Sequence, residues 1–273
     1  MRATELRAGG VRRWRGEMVR TPVYTTAARI VGLAMAGLIR HRVHVWRGGE
    51  PTEHALGLFQ SWCRDTCRRL GVAVAVSGRT AAERCVYVVN HRSYLDIPVL
   101  GGALGAAFLS RADLARWPLV GAAARAIGTV FVERGRATSR ALAARALARR
   151  LRSGSVVVFP EGTTGAERLP GAFAGGLFRL LCRVRTPVVP VTIRYSDRRA
   201  YWTDGSPITW HLREFLSVAR RSAAVHIGAP LCPGELRDAA ALAAASYAAV
   251  CTPIEALGEL DVQDASTRRR EGR

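Results

Sequence analysis

The 273-residue chain contains no lysine, so its 41 basic side chains are all arginine. Against 21 acidic residues they leave a net charge of +20. Several other features are absent. The six cysteines, at 63, 67, 85, 182, 232 and 251, include one close pair, Cys63 and Cys67, but no second Cys/His pair follows at zinc spacing. Zinc-finger spacing, leucine-zipper heptads and ribonucleoprotein-type aromatic motifs are all missing, so the excess charge has no nucleic-acid reading module to serve. The N-terminus lacks the apolar core of a cleavable signal peptide behind its basic residues. Cysteines scattered in apolar contexts behave as small hydrophobes, which suits a reducing compartment.

What remains is a chain that is 49% hydrophobic and strongly cationic. It is long enough for one large domain with an appendage and a sizeable core. Spread arginines favour anionic surfaces, and without a nucleic-acid module the expected surface is a membrane of anionic lipids. Residues 1–20 are Arg- and Gly-rich and read as flexible. Residues 22–39 are mostly apolar but carry Arg29. A spanning helix needs about 20 predominantly apolar residues, and one central arginine costs ~2.5–3.5 kcal/mol, so this segment is marginal for spanning. It fits a helix lying in the membrane interface, or else an ordinary core helix.

Downstream, residues 53–70 are amphipathic with helical period. Short apolar runs at 72–76, 85–89, 106–109, 129–132, 155–159, 188–195 and 224–227 read as strands. Residues 97–105, 139–152, 173–181 and 239–256 read as helices. The alternation predicts an α/β fold with a mixed, mostly parallel central sheet covered by helices on both faces. The expected divisions are a basic, helical, membrane-associating segment over 1–70, an α/β domain over 71–260, and a flexible polar tail over 261–273.

The chemistry concentrates where strands end. Asn90-His91-Arg92-Ser93-Tyr94-Leu95-Asp96 follows the strand Cys85–Val89. A histidine whose ring is fixed by a carboxylate can serve as a general base on a hydroxyl. On an ideal helix positions i and i+5 lie about 140° apart. His91 and Asp96 can therefore meet only if His91 lies in the turn and Asp96 inside the helix. Read by themselves, Asn90 or Ser93 could equally be helix caps. Gly128–Arg134 places a guanidinium, a fork of donors suited to phosphate or carboxylate, just past another strand. Phe159-Pro160-Glu161-Gly162-Thr163-Thr164 supplies a carboxylate, a glycine that permits close backbone approach, and two hydroxyls. Val189-Pro190-Val191 is a fourth strand-end element and reads as structural.

These four elements, in this order over roughly residues 70–232, resemble the glycerophospholipid acyltransferase superfamily. Within it the resemblance is greatest to 1-acyl-sn-glycerol-3-phosphate (lysophosphatidic acid) acyltransferases. The resemblance implies a glycerol-3-phosphate-acyltransferase-like fold and acyl transfer from a thioester to the hydroxyl of a lysophospholipid. It implies His91 and Asp96 as the catalytic pair, and Arg134, Glu161, Gly162, Thr163, Ser93 and Arg92 as acceptor-binding residues. No metal or bound cofactor is implied, because the thioester of coenzyme A or acyl carrier protein enters as co-substrate. The implied location is the cytoplasmic face of the cell membrane, as a peripheral or monotopic protein. The chain departs from the family pattern at Arg111, where lysine is common, and at Phe173-Ala174-Gly175-Gly176, which lacks a usual lysine. The second departure loosens the inference to a phosphate-bearing acceptor. Lysophosphatidic acid, giving phosphatidic acid, is still the expected acceptor, with a lyso-ornithine lipid or another lysolipid the alternative, and a catalytically silent anionic-lipid-binding module is the alternative from a different class.

Overall fold

The computed structural model describes residues 6–8, 11–14, 23–81, 84–133, 137–203, 208–216 and 221–270. The elements run β1 (Leu6–Ala8), β2 (Val11–Trp14), α1 (Val23–Trp46), α2 (Pro51–Arg69), β3 (Val72–Ser77), β4 (Val86–Val89), α3 (Asp96–Leu104), β5 (Ala107–Arg111) and α4 (Pro118–Ala126). They continue as β6 (Val130–Val132), α5 (Ala137–Arg150), β7 (Val156–Val158), α6 (Gly175–Val184), β8 (Val188–Tyr195), α7 (Ile208–Leu216), β9 (Arg221–Ile227) and α8 (Ala239–Arg270). One nine-stranded sheet has the order β1-β2-β3-β9-β8-β4-β7-β5-β6. Neighbouring pairs are parallel except β1–β2, β2–β3 and β8–β9. The mixed, mostly parallel sheet expected from the sequence is therefore present.

Successive side chains on a strand point to opposite faces, and the central strands show it. Cys85, Tyr87, Val89 and Val157 join the core beneath α2 and α3, with Leu70, Val99, Leu100 and Phe108. Val86, Val88, Val156 and Val158 join the opposite core, with Leu147 of α5, Phe178 and Leu181 of α6 and Leu242 of α8. Strands apolar on both faces are what a sheet covered on both sides requires, which is why β4 and β7 read as unbroken valine-rich runs. Helix α3 lies unusually close to α2. A Cβ at Gly101 would sit 2.5 Å from Cys63 Sγ and 2.7 Å from Phe59 Cε1, so only glycine lets α3, and the turn before it, seat at this depth.

Three expectations change. The N-terminal stretch read as flexible includes β2, paired antiparallel to β3 through Trp14 and Val74, with Trp14 buried in the main core. Helix α2 likewise gives Ala55 and Cys67 to that core, joined by Leu70 just past its end. The hydrophobic pattern does not reveal this, because β2 has only four residues and two of them are arginine. Second, α1 continues through the basic run Arg40–Arg42 to Trp46, and Trp62 Nε1 of α2 donates to Ile30 O to pin it. It leaves Tyr24, Val31, Met35, Ile39 and Trp46 exposed, which an ordinary core helix would bury. Third, α8 runs to Arg270, through the segment read as tail from Asp261. Its stretch Ala239–Ala256 is long and apolar enough to cross a membrane by length and composition. Yet Leu242, Ser246, Val250 and Ile254 are buried and Thr192 Oγ1 of β8 donates to Val250 O, which is the setting of a core helix.

Candidate active site

Parallel pairing of β4 with both β7 and β8 sends the C-terminal ends of all three strands to one edge of the sheet. Open α/β sheets gather ligands there, and here the chain places its polar strand ends there too. Just beyond β4, Asn90 extends the pairing by its side chain. Nδ2 donates to Ile193 O (2.9 Å), and Oδ1 accepts from Ile193 N (2.8 Å). The backbone is thereby fixed one residue before His91.

His91 lies in the turn and Asp96 is the first residue of α3, as the spacing requires. His91 Nδ1 bonds Asp96 Oδ2 at 2.7 Å. A carboxylate only accepts, so Nδ1 carries the hydrogen and, in the neutral ring, Nε2 presents its lone pair. The ring stacks on Phe159 at 3.9 Å between centroids, which fixes its plane. The Asp96 side chain is wholly buried while that of His91 is 19% exposed, so the pair runs from protein interior to surface. Asp96 Oδ2 also accepts the amides of Arg92 (2.7 Å) and Ser93 (3.0 Å). Its other oxygen, Oδ1, accepts the hydroxyl of Tyr195 at 2.7 Å. Burial first, and then the Asp96 charge, push the Tyr195 phenol well above its ordinary value, so it stays a neutral donor.

Beyond β7, Glu161 accepts the His91 amide at Oε1 (2.7 Å) and the Gly171 amide at Oε2 (2.8 Å). Burial raises its carboxyl above the usual range, opposed by those two amides and by the positive charge of Arg92. Gly162 takes φ +75°, a left-handed turn suited to glycine, and its amide donates to Phe159 O. Thr163 is exposed at the start of the loop that returns to α6.

The structure brings His91, Asp96, Glu161, Gly162 and Thr163 to one place. It gives two other residues different work. Arg92, expected to bind acceptor, is 1% exposed, with Nη1 on Gly165 O (3.2 Å), Nη2 on Arg168 O (2.9 Å) and its guanidinium over the Tyr201 ring. It straps the 162–174 loop to the catalytic turn. Ser93, also expected at the acceptor, is fully buried, and its Oγ accepts the Leu95 amide within the turn. Both residue types suggest ligand contact in a sequence, and only burial shows otherwise. Arg134 lies outside the described residues. Pro190, read as a strand end, is inside β8 opposite Val88.

Two contributors went unseen in the sequence. Tyr195 reads only as the last residue of a strand; its signal is the register Val89↔Val191, which carries β8 alongside the catalytic turn. His211 on α7 donates from Nε2 to Tyr201 O (2.9 Å), so its Nδ1 accepts the Tyr94 hydroxyl (3.0 Å) inside the same turn. Burial lowers the proton affinity of His211, in keeping with that neutral form.

Residues 73–194 match the family model described as Acyltransferase. Over 245 residues the chain is 31% identical to a lyso-ornithine lipid O-acyltransferase of Pseudomonas aeruginosa, spanning 85% of this chain and 93% of that one. The chain belongs to the acyltransferase family. A 1-acyl-sn-glycerol-3-phosphate acyltransferase of Neisseria gonorrhoeae is 31% identical over 126 residues, 44% of this chain and 49% of that one. The solved 1-acyl-sn-glycerophosphate acyltransferase of Thermotoga maritima superposes with a TM-score of 0.63 at 20% identity, over 85% of this chain and 98% of that one. That likeness establishes the acyltransferase fold. The protein is thus an enzyme of the glycerophospholipid acyltransferase type, as the ordered motifs imply.

Proposed function

We propose that this acyltransferase moves a fatty acyl group from an acyl thioester, of coenzyme A or acyl carrier protein, to the free hydroxyl of a lysolipid at the cytoplasmic face of the membrane. The observation that carries the reading is the His91–Asp96 bond, with one end buried and the other open. His91 Nε2 takes the proton of the acceptor hydroxyl as its oxygen attacks the thioester carbonyl. Asp96 keeps the ring in the tautomer with Nε2 free and stabilises the imidazolium that forms. The thiolate leaves as the tetrahedral intermediate collapses and receives the proton from His91. Such a base contributes ~10²–10⁴-fold. The chemistry uses no metal or bound cofactor. Glu161, Gly162 and Thr163 hold the acceptor beside the ring, with Arg134 meeting its anionic group.

For the acceptor, a lyso-ornithine lipid leads. The Pseudomonas aeruginosa relative of that name matches along most of both chains, whereas the Neisseria gonorrhoeae 1-acyl-sn-glycerol-3-phosphate relative matches less than half of either. The missing lysine in Phe173-Ala174-Gly175-Gly176 points the same way, away from a phosphate monoester. Lysophosphatidic acid is the second reading, supported by the intact Phe159–Thr163 motif. A silent lipid-binding module has no use for a histidine held by a buried carboxylate with its other nitrogen open to the surface. Purified protein offered each lysolipid with each thioester, and read by lipid mass spectrometry, decides among these. Product from neither lysolipid with either donor, under conditions where the protein binds liposomes, favours the silent module.

A further inference from the structure

The bond between Tyr195 and Asp96 goes further than packing. Asp96 Oδ2 collects three donors, from the His91 ring and from the amides of Arg92 and Ser93, while Oδ1 takes the Tyr195 hydroxyl at 2.7 Å. The terminal torsion of an aspartate is broad and roughly two-fold, so the rotamer offered to the histidine depends on what anchors the second oxygen. Asp96 is 0% exposed, leaving no bulk water to replace a lost donor there. Tyr195 is itself immobile: it pairs with Ala223 of β9, packs edge-on against Tyr201, and is buried. A phenylalanine would fill the same space. The hydroxyl is the part that packing does not explain, since a buried phenol needs a partner.

We propose that Tyr195 is a positioning residue of the dyad: its hydroxyl holds the Asp96 carboxylate in the rotamer that aims the His91 ring, completing a buried Tyr195–Asp96–His91 relay. This rests on the general-base reading of His91. The relay joins two strand ends, since β8 supplies the tyrosine and the turn after β4 with the first residue of α3 the histidine and aspartate; Glu161, in the loop after β7, holds the His91 amide from outside it.

The groups around the relay are few. Glu161 and Arg92 flank His91, and Cys67 of α2 and Tyr201 lie near Tyr195. Burial pushes the Cys67 thiol up to about 12, so it adds no charge. Removing the Tyr195 hydroxyl frees Oδ1, and the carboxylate then aims Oδ2 less squarely at the His91 Nδ1–H.

The test compares full-length wild type with Tyr195→Phe, Asp96→Asn and the Tyr195→Phe/Asp96→Asn pair. The first readout needs no substrate: the downfield NMR signal of the hydrogen-bonded His91 Nδ1–H in the purified free protein, assigned by its loss in His91→Ala. Tyr195→Phe is expected to move that signal upfield and broaden it, as the bond to Asp96 loosens. With the lysolipid and thioester that give product, kcat falls about tenfold while KM changes less than about twofold. In the Asp96→Asn background the same substitution costs nothing further, because its effect runs through Asp96. An unchanged signal and unchanged kcat in Tyr195→Phe reduce Tyr195 to a core residue and overturn the proposal. A full tenfold loss persisting in the Asp96→Asn background overturns it as well. If His91→Ala itself retains turnover, the failure lies in the general-base reading; if His91→Ala is dead and Tyr195→Phe is normal, only the relay fails.

Discussion

Glu161 reaches His91 through the backbone: its Oε1 accepts the His91 amide while Oε2 accepts that of Gly171. The acidic residue of the third motif is thus a bracket between the catalytic turn and the 162–174 loop. Arg92 ties the same loop from the other side through Gly165 and Arg168.

Replacing Glu161 by glutamine turns one acceptor into a donor that must face an amide N–H. An unmet buried group of this kind costs ~1–3 kcal/mol. The expected result is a lower Tm, faster proteolytic cutting within residues 162–174 and a raised KM for the lysolipid. A Tm and cleavage pattern identical to wild type would show that the bracket holds nothing.

His91→Ala should lower kcat by ~10²–10⁴-fold. Because the ring is partly exposed and bonds no backbone group, Tm should barely move. Asp96→Asn should lose activity, since a neutral amide cannot stabilise the imidazolium, and some stability, since with its carbonyl kept on the Arg92 and Ser93 N–H groups its NH2 must face the Tyr195 hydroxyl, which has to turn from donor to acceptor. Paired thermal melts and single-turnover assays separate the two behaviours. Equal Tm losses for the two variants would contradict this division of labour.

Stability should fall on mild acidification through His211. Its folded-state proton affinity is lowered, mainly by burial, below the ordinary value of about 6.5. Below that value the unfolded chain binds a proton the folded chain does not, so stability present above about 6.5 is lost as pH falls. Protonation also ends the acceptance of the Tyr94 hydroxyl at Nδ1. His54, lowered by burial and then by His44 and His41, acts with the same sign. His211→Gln should show a flatter Tm profile between about pH 7.5 and 5.5 than wild type; parallel profiles would exclude His211 as the source.

Membrane association should reside on the exposed face of α1. Met35, Ile39 and Trp46 are 52%, 61% and 84% exposed. The combined change Met35→Gln, Ile39→Gln, Trp46→Ser should reduce partition to anionic liposomes several-fold at unchanged Tm. Added salt should weaken the remaining binding, as expected for arginines near an anionic surface. Point changes serve better here than deleting residues 1–45, which would also strip β2 from the sheet. Unaltered partition would move the membrane contact elsewhere.

Much of this architecture is legible in the chain. Valine-rich runs bounded by polar punctuation announce β4, β7 and β8, and the i, i+5 spacing already requires His91 before a helix and Asp96 within it. Short edge elements escape: β1 has three residues and β2 four, and both are interrupted by arginine, so neither shows an apolar run. The burial of Arg92 and Ser93 escapes for a related reason: residue type reports what a side chain can bond, not what surrounds it.

The sequence by itself determined the alternation of the central strands and helices, the family and the turn-then-helix placing of His91 and Asp96, because these depend on local periodicity and on residues five positions apart. Only the tertiary structure decided that β2 joins the main sheet, that Arg92 faces inward, and that a tyrosine 99 positions from Asp96 supplies the donor to its second oxygen. Those outcomes depend on cross-strand register and on exclusion of water. Both arise from the packed sheet as a whole, and no window along the chain contains them.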